Sequence, residues 1–185
     1  WVYEDAGMGY SGFAVSGGKL FTVGTRDEDL TVICLDVASG SEVWATEIAE
    51  DDQNGYNAGW GHGPRSTPTV SDGHVYVLGP KGTLACLSIA DGKKVWDKHL
   101  VDDFKGKAGG WGFSESPFVD GKQLVIGPGG TSSPVVALDK MTGDEIVFGE
   151  GNEKWAASGF DVGGGKAEYA TTVLLELNGK RQYLR

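Results

Sequence analysis

Two short stretches gather side chains capable of chemistry: "WGHGPRS" at residues 60–66 and "WGFSES" at residues 111–116. Their shared Trp-Gly pairs, Trp60-Gly61 and Trp111-Gly112, lie 51 residues apart (111 − 60). Arg65 carries a planar fork of donors suited to a carboxylate. Glu115 is a candidate base or cation ligand, with Ser114 beside it. His62 titrates near neutrality and can serve as base or ligand. Trp60 and Trp111 offer flat faces for a sugar or a planar ligand. Each residue also has a plainer reading: rim packing for the tryptophans, and a backbone hydrogen bond or solvent exposure for His62. Aligning Pro68 with Pro117 sets Arg65 opposite Ser114 and Ser66 opposite Glu115. Arg65 and Glu115 are therefore expected to meet as an ion pair between neighbouring units, and this structural reading is preferred to a catalytic one.

Other chemical patterns fail on inspection. "EDDQNG" has acid spacing like a calcium loop, but Gly61 falls where the closing Glu belongs. "GPGGTSS" and "GGGKAE" lack the Gly-Lys-Ser/Thr ending that cradles phosphate. No Cys/His set has zinc spacing and no G-x-S-x-G elbow is present, so no metal ligand is assigned. The formal charge is −10 and the basic residues do not cluster, which argues against nucleic acid and anionic membrane surfaces as partners. No apolar run approaches the ~20 residues that span a bilayer.

The elements that position these residues follow from repetition. Glycine is the compositional outlier, with 31 among 185 residues, and it separates short apolar runs as turns separate strands. Three copies align: "FAVSGGKLFTVGTRDEDLTVICLDVASGSEVW", "PTVSDGHVYVLGPKGTLACLSIADGKKVW" and "PFVDGKQLVIGPGGTSSPVVALDKMTGDEIVF". Their turn glycines, Gly40, Gly92 and Gly143, are spaced by 52 and 51 residues. Each copy holds four alternating runs joined by tight turns, and no stretch has the pattern of a capped amphipathic helix. In the second copy the expected runs are 66–70, 74–78, 83–89 and 93–100. Four-stranded antiparallel units at this period are the signature of an all-β propeller, with about three and a half blades in this chain. The expected boundaries are the end of a preceding strand at 1–10, blades at 11–50, 65–100 and 114–150, and the start of a further blade at 168–185. A closed propeller has about 4–8 blades, so the natural protein is expected to be longer, with the rest of the ring in the same polypeptide.

Trp44 and Trp96 end the first two copies and are assigned to blade stacking, together with Gly40, Gly92 and Gly143. Cys34 and Cys86 occupy equivalent places in successive copies. The repeat spacing should hold them beyond the ~7 Å reach of a disulfide, so both are expected to be free thiols. The third copy departs from the pattern, with Val147 at the tryptophan position followed by Phe148.

"CLDVASGSEVW", "CLSIADGKKVW" and "ALDKMTGDEIV" resemble the quinoprotein-type repeat A-x-D-x-x-T-G-x-x-x-W. Departures are Cys for Ala, Ser39 for Thr, and Ser88 for the first Asp. With "GPRSTPTV" and "WGFSESP" before the inner strands, nearly the whole chain is similar to PQQ-like propellers. The similarity extends to the planctomycete-type bacterial extracytoplasmic group and the outer-membrane assembly lipoprotein propeller. The resemblance implies a periplasmic or otherwise extracytoplasmic location. It also implies one of two roles: a non-catalytic scaffold for a protein or ligand, or a dehydrogenase of alcohols or sugars using PQQ with calcium. The dehydrogenases sandwich the quinone between a Trp and often a vicinal Cys pair. No Cys-Cys is present, and their calcium ligands and catalytic Asp find no matching motif. The reading therefore favours the scaffold, with no cofactor evident. A carbohydrate or cell-surface polymer module stands as a third class, motivated by Trp60, Trp111 and the acidic charge.

Overall fold

A computed structural model describes residues 1–52, 54–57, 59–130, 135–146, 166–167 and 169–184. Val147 and Phe148, where the third copy departs from the tryptophan pattern, lie outside them. The described residues form antiparallel sheets in chain order. The first is β1 (Ala14–Ser16), β2 (Lys19–Arg26), β3 (Asp29–Asp36) and β4 (Glu42–Glu50). The second is β5 (Thr69–Ser71), β6 (His74–Leu78), β7 (Thr83–Ser88) and β8 (Lys94–His99). A third contains β9 (Phe118–Asp120), β10 (Gln123–Ile126) and β11 (Val136–Asp139), and β12 (Val173–Leu177) pairs with β13 (Lys180–Leu184). These are meanders, each strand paired with its chain neighbour, as blades of a propeller require. The β1–β2, β5–β6 and β12–β13 hairpins turn on residue pairs with two positive φ values, such as Asp72 (46°) with Gly73 (77°). That geometry matches the right-handed twist of the strands it joins.

Alternation explains where the core sits. Strand side chains point to opposite faces in turn. Val75 and Val77 of β6 join Phe21, Val23, Val32 and Cys34 of the first blade. Their neighbours Tyr76 and Leu78 join Leu124, Ile126 and Leu138 of the third. The second blade is thus buried on both faces, which a single sheet cannot achieve alone.

The tryptophans close the seams by one repeated device. The Trp44 indole N–H donates to the Ile89 carbonyl (3.3 Å) and the Trp96 N–H to that of Lys140 (2.9 Å), each in the following blade. Trp1 does the same to Val37 (2.8 Å). Each ring lies on the next blade's turn glycine. A Cβ on Gly92 would fall 2.7 Å from the Trp44 ring, and one on Gly143 2.8 Å from that of Trp96. Opposite each ring on the adjacent strand stands a small thiol, Cys34 across from Trp44 and Cys86 across from Trp96. Both thiols are free. Lys19 and Lys140 add polar stitches across the same seams, Lys19 to the Ile89 carbonyl (2.9 Å) and Lys140 to Asp72 and Ser71.

Two details differ from the sequence reading. The fourth run of the second copy ends at His99, and a short helix, α1 (Leu100–Phe104), follows it. Leu100 and Phe104, one turn apart, are both buried, and the Asp103 carboxylate accepts a bond from the His99 N–H (2.7 Å). Five residues are too few to show a helical period. The innermost strand of that blade begins at Thr69 rather than 66. Pro64 and Pro68 have no N–H for a ladder, so the preceding residues bond to the neighbouring blade instead.

Candidate functional site

The connections that lead into the inner strands are extended segments laid side by side. Ser11 Oγ donates to the Ser66 carbonyl (2.7 Å). The Thr67 N–H donates to Ser116 Oγ (2.9 Å), and the Ser116 N–H to Thr171 Oγ1 (3.0 Å). This seam aligns Tyr10 with Arg65, Ser114 and Tyr169 in successive units. Thr69 Oγ1 also donates to the Pro117 carbonyl (2.5 Å), locking β5 to the start of β9.

Alternation along these segments decides which side chains meet. Ser66 and Glu115 hold equivalent places and point inward, 2% and 1% exposed. Arg65 and Ser114, one residue earlier, point the other way and are half-buried. The expected Arg65–Glu115 ion pair is therefore not made. The Glu115 carboxylate instead accepts from the Gly127 N–H at the end of β10.

Arg65 is held in a box of rings and carbonyls. Its Nη2 donates to the Gly61 carbonyl (2.9 Å) and its Nη1 to that of Gly63 (3.2 Å). The guanidinium carbon lies 5.5 Å from the Tyr10 ring centre, 5.8 Å from Tyr56 and 5.9 Å from Trp111. Such cation–π contacts strengthen as water is removed. Tyr56 is fixed in turn. Its hydroxyl accepts from the Gly63 N–H (3.0 Å) and donates to the buried Asp51 carboxylate (3.2 Å). Burial, with that carboxylate alongside, pushes the Tyr56 phenol up. Asp51 also accepts from Thr25 Oγ1 (2.6 Å) in the first blade.

Tyr10, Trp60, Arg65 and Trp111 line an open cup of about 240 Å³. Trp60 is 79% exposed, yet its backbone is anchored, because the Tyr10 hydroxyl donates to its carbonyl. The Trp111 N–H donates to the Tyr169 hydroxyl (3.2 Å), so each Trp-Gly connection carries a tyrosine clamp. Of the six residues singled out in the sequence, Trp60, Arg65 and Trp111 converge here. His62 lies half-buried in the same connection, Ser114 is half-buried in the next unit, and Glu115 is turned into the blade. Tyr10 and Tyr56 join the site without having been singled out. The available signal was the alignment of Tyr10 with Arg65 and the Asp-x-x-x-x-Tyr spacing of Asp51 and Tyr56.

Among the described residues, no three His, Cys, Asp or Glu side chains are grouped to hold a metal ion. No helix of the described residues is long and apolar enough to cross a membrane.

Meander blades, stacking tryptophans and the repeat motif define a PQQ-like β-propeller repeat protein. The family described as outer membrane protein assembly factor BamB matches residues 5–148, and the chain belongs to it. The assembly factor BamB of Xanthomonas campestris pv. campestris is 32% identical over 119 residues, covering 63% of this chain and 25% of that protein. This chain thus spans about a quarter of the length of that curated relative. Two solved structures share the fold. BamB from Moraxella catarrhalis has a TM-score of 0.51 at 22% identity, over 74% of this chain and 35% of that one. The quinohemoprotein alcohol dehydrogenase from Comamonas testosteroni has a TM-score of 0.54 at 22% identity, over 76% of this chain and 21% of that one.

Proposed function

We propose that this chain is part of a non-catalytic, extracytoplasmic propeller that docks a protein partner at the mouth formed by its inter-blade connections. The observation that carries the reading is the Tyr10–Trp60–Arg65–Trp111 cup. It presents a large ring to solvent on a backbone fixed by hydrogen bonds, the arrangement of a pre-organised binding anchor. The assembly-factor name borne by the relatives supports a docking role and a location outside the cytoplasm.

The dehydrogenase alternative asks for PQQ with calcium. Bound, that pair would supply a quinone that accepts a hydride or electrons from an alcohol or sugar. The described residues do not fit it. The cup has one guanidinium and three rings but no carboxylate, and Cys34 and Cys86 lie in the cores of separate seams. The two readings are separated by reconstituting the full-length protein with PQQ and calcium chloride, followed by dialysis. The expected result is no retained quinone absorption and no dye reduction with alcohols or sugars. A retained quinone band with substrate-dependent dye reduction overturns the scaffold reading.

A further inference from the structure

Arg65 is a half-buried cation without a carboxylate among the described residues. The structure describes two other arginines, and both are ion-paired: Arg26 with Glu42 at 2.9 Å and Arg181 with Asp120 at 2.6 Å. No described acidic group lies within ion-pair reach of Arg65, in a chain carrying 26 acidic residues. Its five N–H donors exceed the two bonds it makes to Gly61 and Gly63, which leaves donors for a ligand. The rings of Tyr10, Tyr56 and Trp111 fix the plane of the guanidinium, so little rotamer freedom is lost when it binds.

The cup also restricts the ligand. Its volume of about 240 Å³ is below that of ordinary small-molecule pockets and suits a side chain or two. Its exposed lining is almost wholly ring surface, and the one charged group among the lining side chains is the Arg65 guanidinium, a donor. Its one side-chain hydroxyl, on Tyr10, is already engaged with the Trp60 carbonyl. Sugar hydroxyls donate as well as accept and would be left without acceptors. A carboxylate only accepts, and an apolar neighbour would lie against the exposed Trp60 ring.

Building on the docking reading, we propose that this cup binds an acidic peptide segment of the partner. An Asp or Glu carboxylate pairs with Arg65, and an adjacent apolar side chain packs against Trp60 and Trp111. The full-length protein is titrated, by fluorescence polarisation, with a labelled Gly-Ser decapeptide carrying a central Glu-Phe pair. The same titration is run with its Gln-Phe counterpart and with a labelled galacturonate oligomer. The Glu peptide should bind about tenfold or more tighter than the Gln peptide, the worth of one charge-assisted hydrogen bond. Arg65→Gln should abolish that preference. Trp60→Ala, at an exposed position, should leave the urea midpoint unchanged and weaken both peptides several-fold. The proposal is overturned by equal affinity for the two peptides, by a Glu preference that survives Arg65→Gln, or by tighter binding of the galacturonate, which would make this a polysaccharide site. If no probe binds while PQQ is also not retained, the cup assignment fails and the scaffold reading stands. If PQQ is retained with dye reduction, the scaffold reading itself fails.

Discussion

The seams between blades make a prediction that separates two roles of one residue type. Gly143 and Gly73 both have positive φ, 74° and 77°. An alanine at either site costs about 1–2 kcal/mol for a left-handed backbone conformation. Only Gly143 lies under a ring. A Cβ there would come within 2.8–3.1 Å of three atoms of the Trp96 indole, whereas one at Gly73 meets nothing within 4 Å. Trp96 is 8% exposed and hydrogen-bonded to the Lys140 carbonyl, so it has no open space into which to retreat. Removing such a ring altogether costs about 3–5 kcal/mol, and lifting it off its seat forfeits part of that, about 1–3 kcal/mol. Gly143→Ala should therefore cost about 2–5 kcal/mol in urea unfolding of the full-length protein, against about 1–2 for Gly73→Ala. In a Trp96→Ala background the extra penalty at Gly143 should vanish, since the group it strikes is gone. Equal costs at the two glycines, or a Gly143 penalty unchanged without Trp96, would refute ring-on-glycine stacking as the source of seam stability.

Three further outcomes follow from the same geometry. Tyr56→Phe removes the acceptor of the buried Gly63 N–H and one partner of Asp51, and should cost about 1–3 kcal/mol in urea unfolding. A loss near zero would mean the box around Arg65 does not depend on that hydroxyl. Asp120 is held below the usual carboxylate range, first by the Tyr183 hydroxyl and then by Arg181, both in the β12–β13 hairpin. A depressed carboxylate stabilises above its unfolded pKa of about 4 and loses that contribution as the pH falls through its folded value. The urea midpoint should thus drop more between about pH 5 and pH 3 for the native chain than for Asp120→Asn, and parallel curves would contradict the contact. Burial pushes the Cys34 thiol up to about 11 and the Cys86 thiol to about 12. A thiol reagent at about pH 8 should label neither in the folded protein and both after unfolding, and rapid labelling of the native protein would show the seams to be open.

The fold was legible because its repeat is written in residues with strong local preferences. Glycines at turns, alternating apolar runs and terminal tryptophans each restrict the backbone alone, and their recurrence at one spacing assembles the blades. Trp1 was not singled out, although it seats on Gly40 as Trp44 and Trp96 seat on Gly92 and Gly143. The site was legible in part. Trp60, Arg65 and Trp111 stand out because two connections repeat. The expected pairing of Arg65 with Glu115 fails, since counting from the shared proline gives position but not side. Alternation puts Glu115 with Ser66, inside the blade. Tyr10 reaches the cup from a unit further back, and α1 is too short for its period to register.

The most direct test of the account is where a partner touches the protein in the cell. A photo-crosslinking amino acid placed at Trp60, in the cup, is compared with one at Val95, which is exposed on β8 at the far side of the blade. The account predicts a discrete adduct from position 60 with one envelope protein, identified by mass spectrometry, whose crosslinked segment contains an acidic residue beside an apolar one. It predicts no such adduct from position 95. An adduct at 95 without one at 60, or an adduct at 60 to a segment without acidic residues, would contradict it.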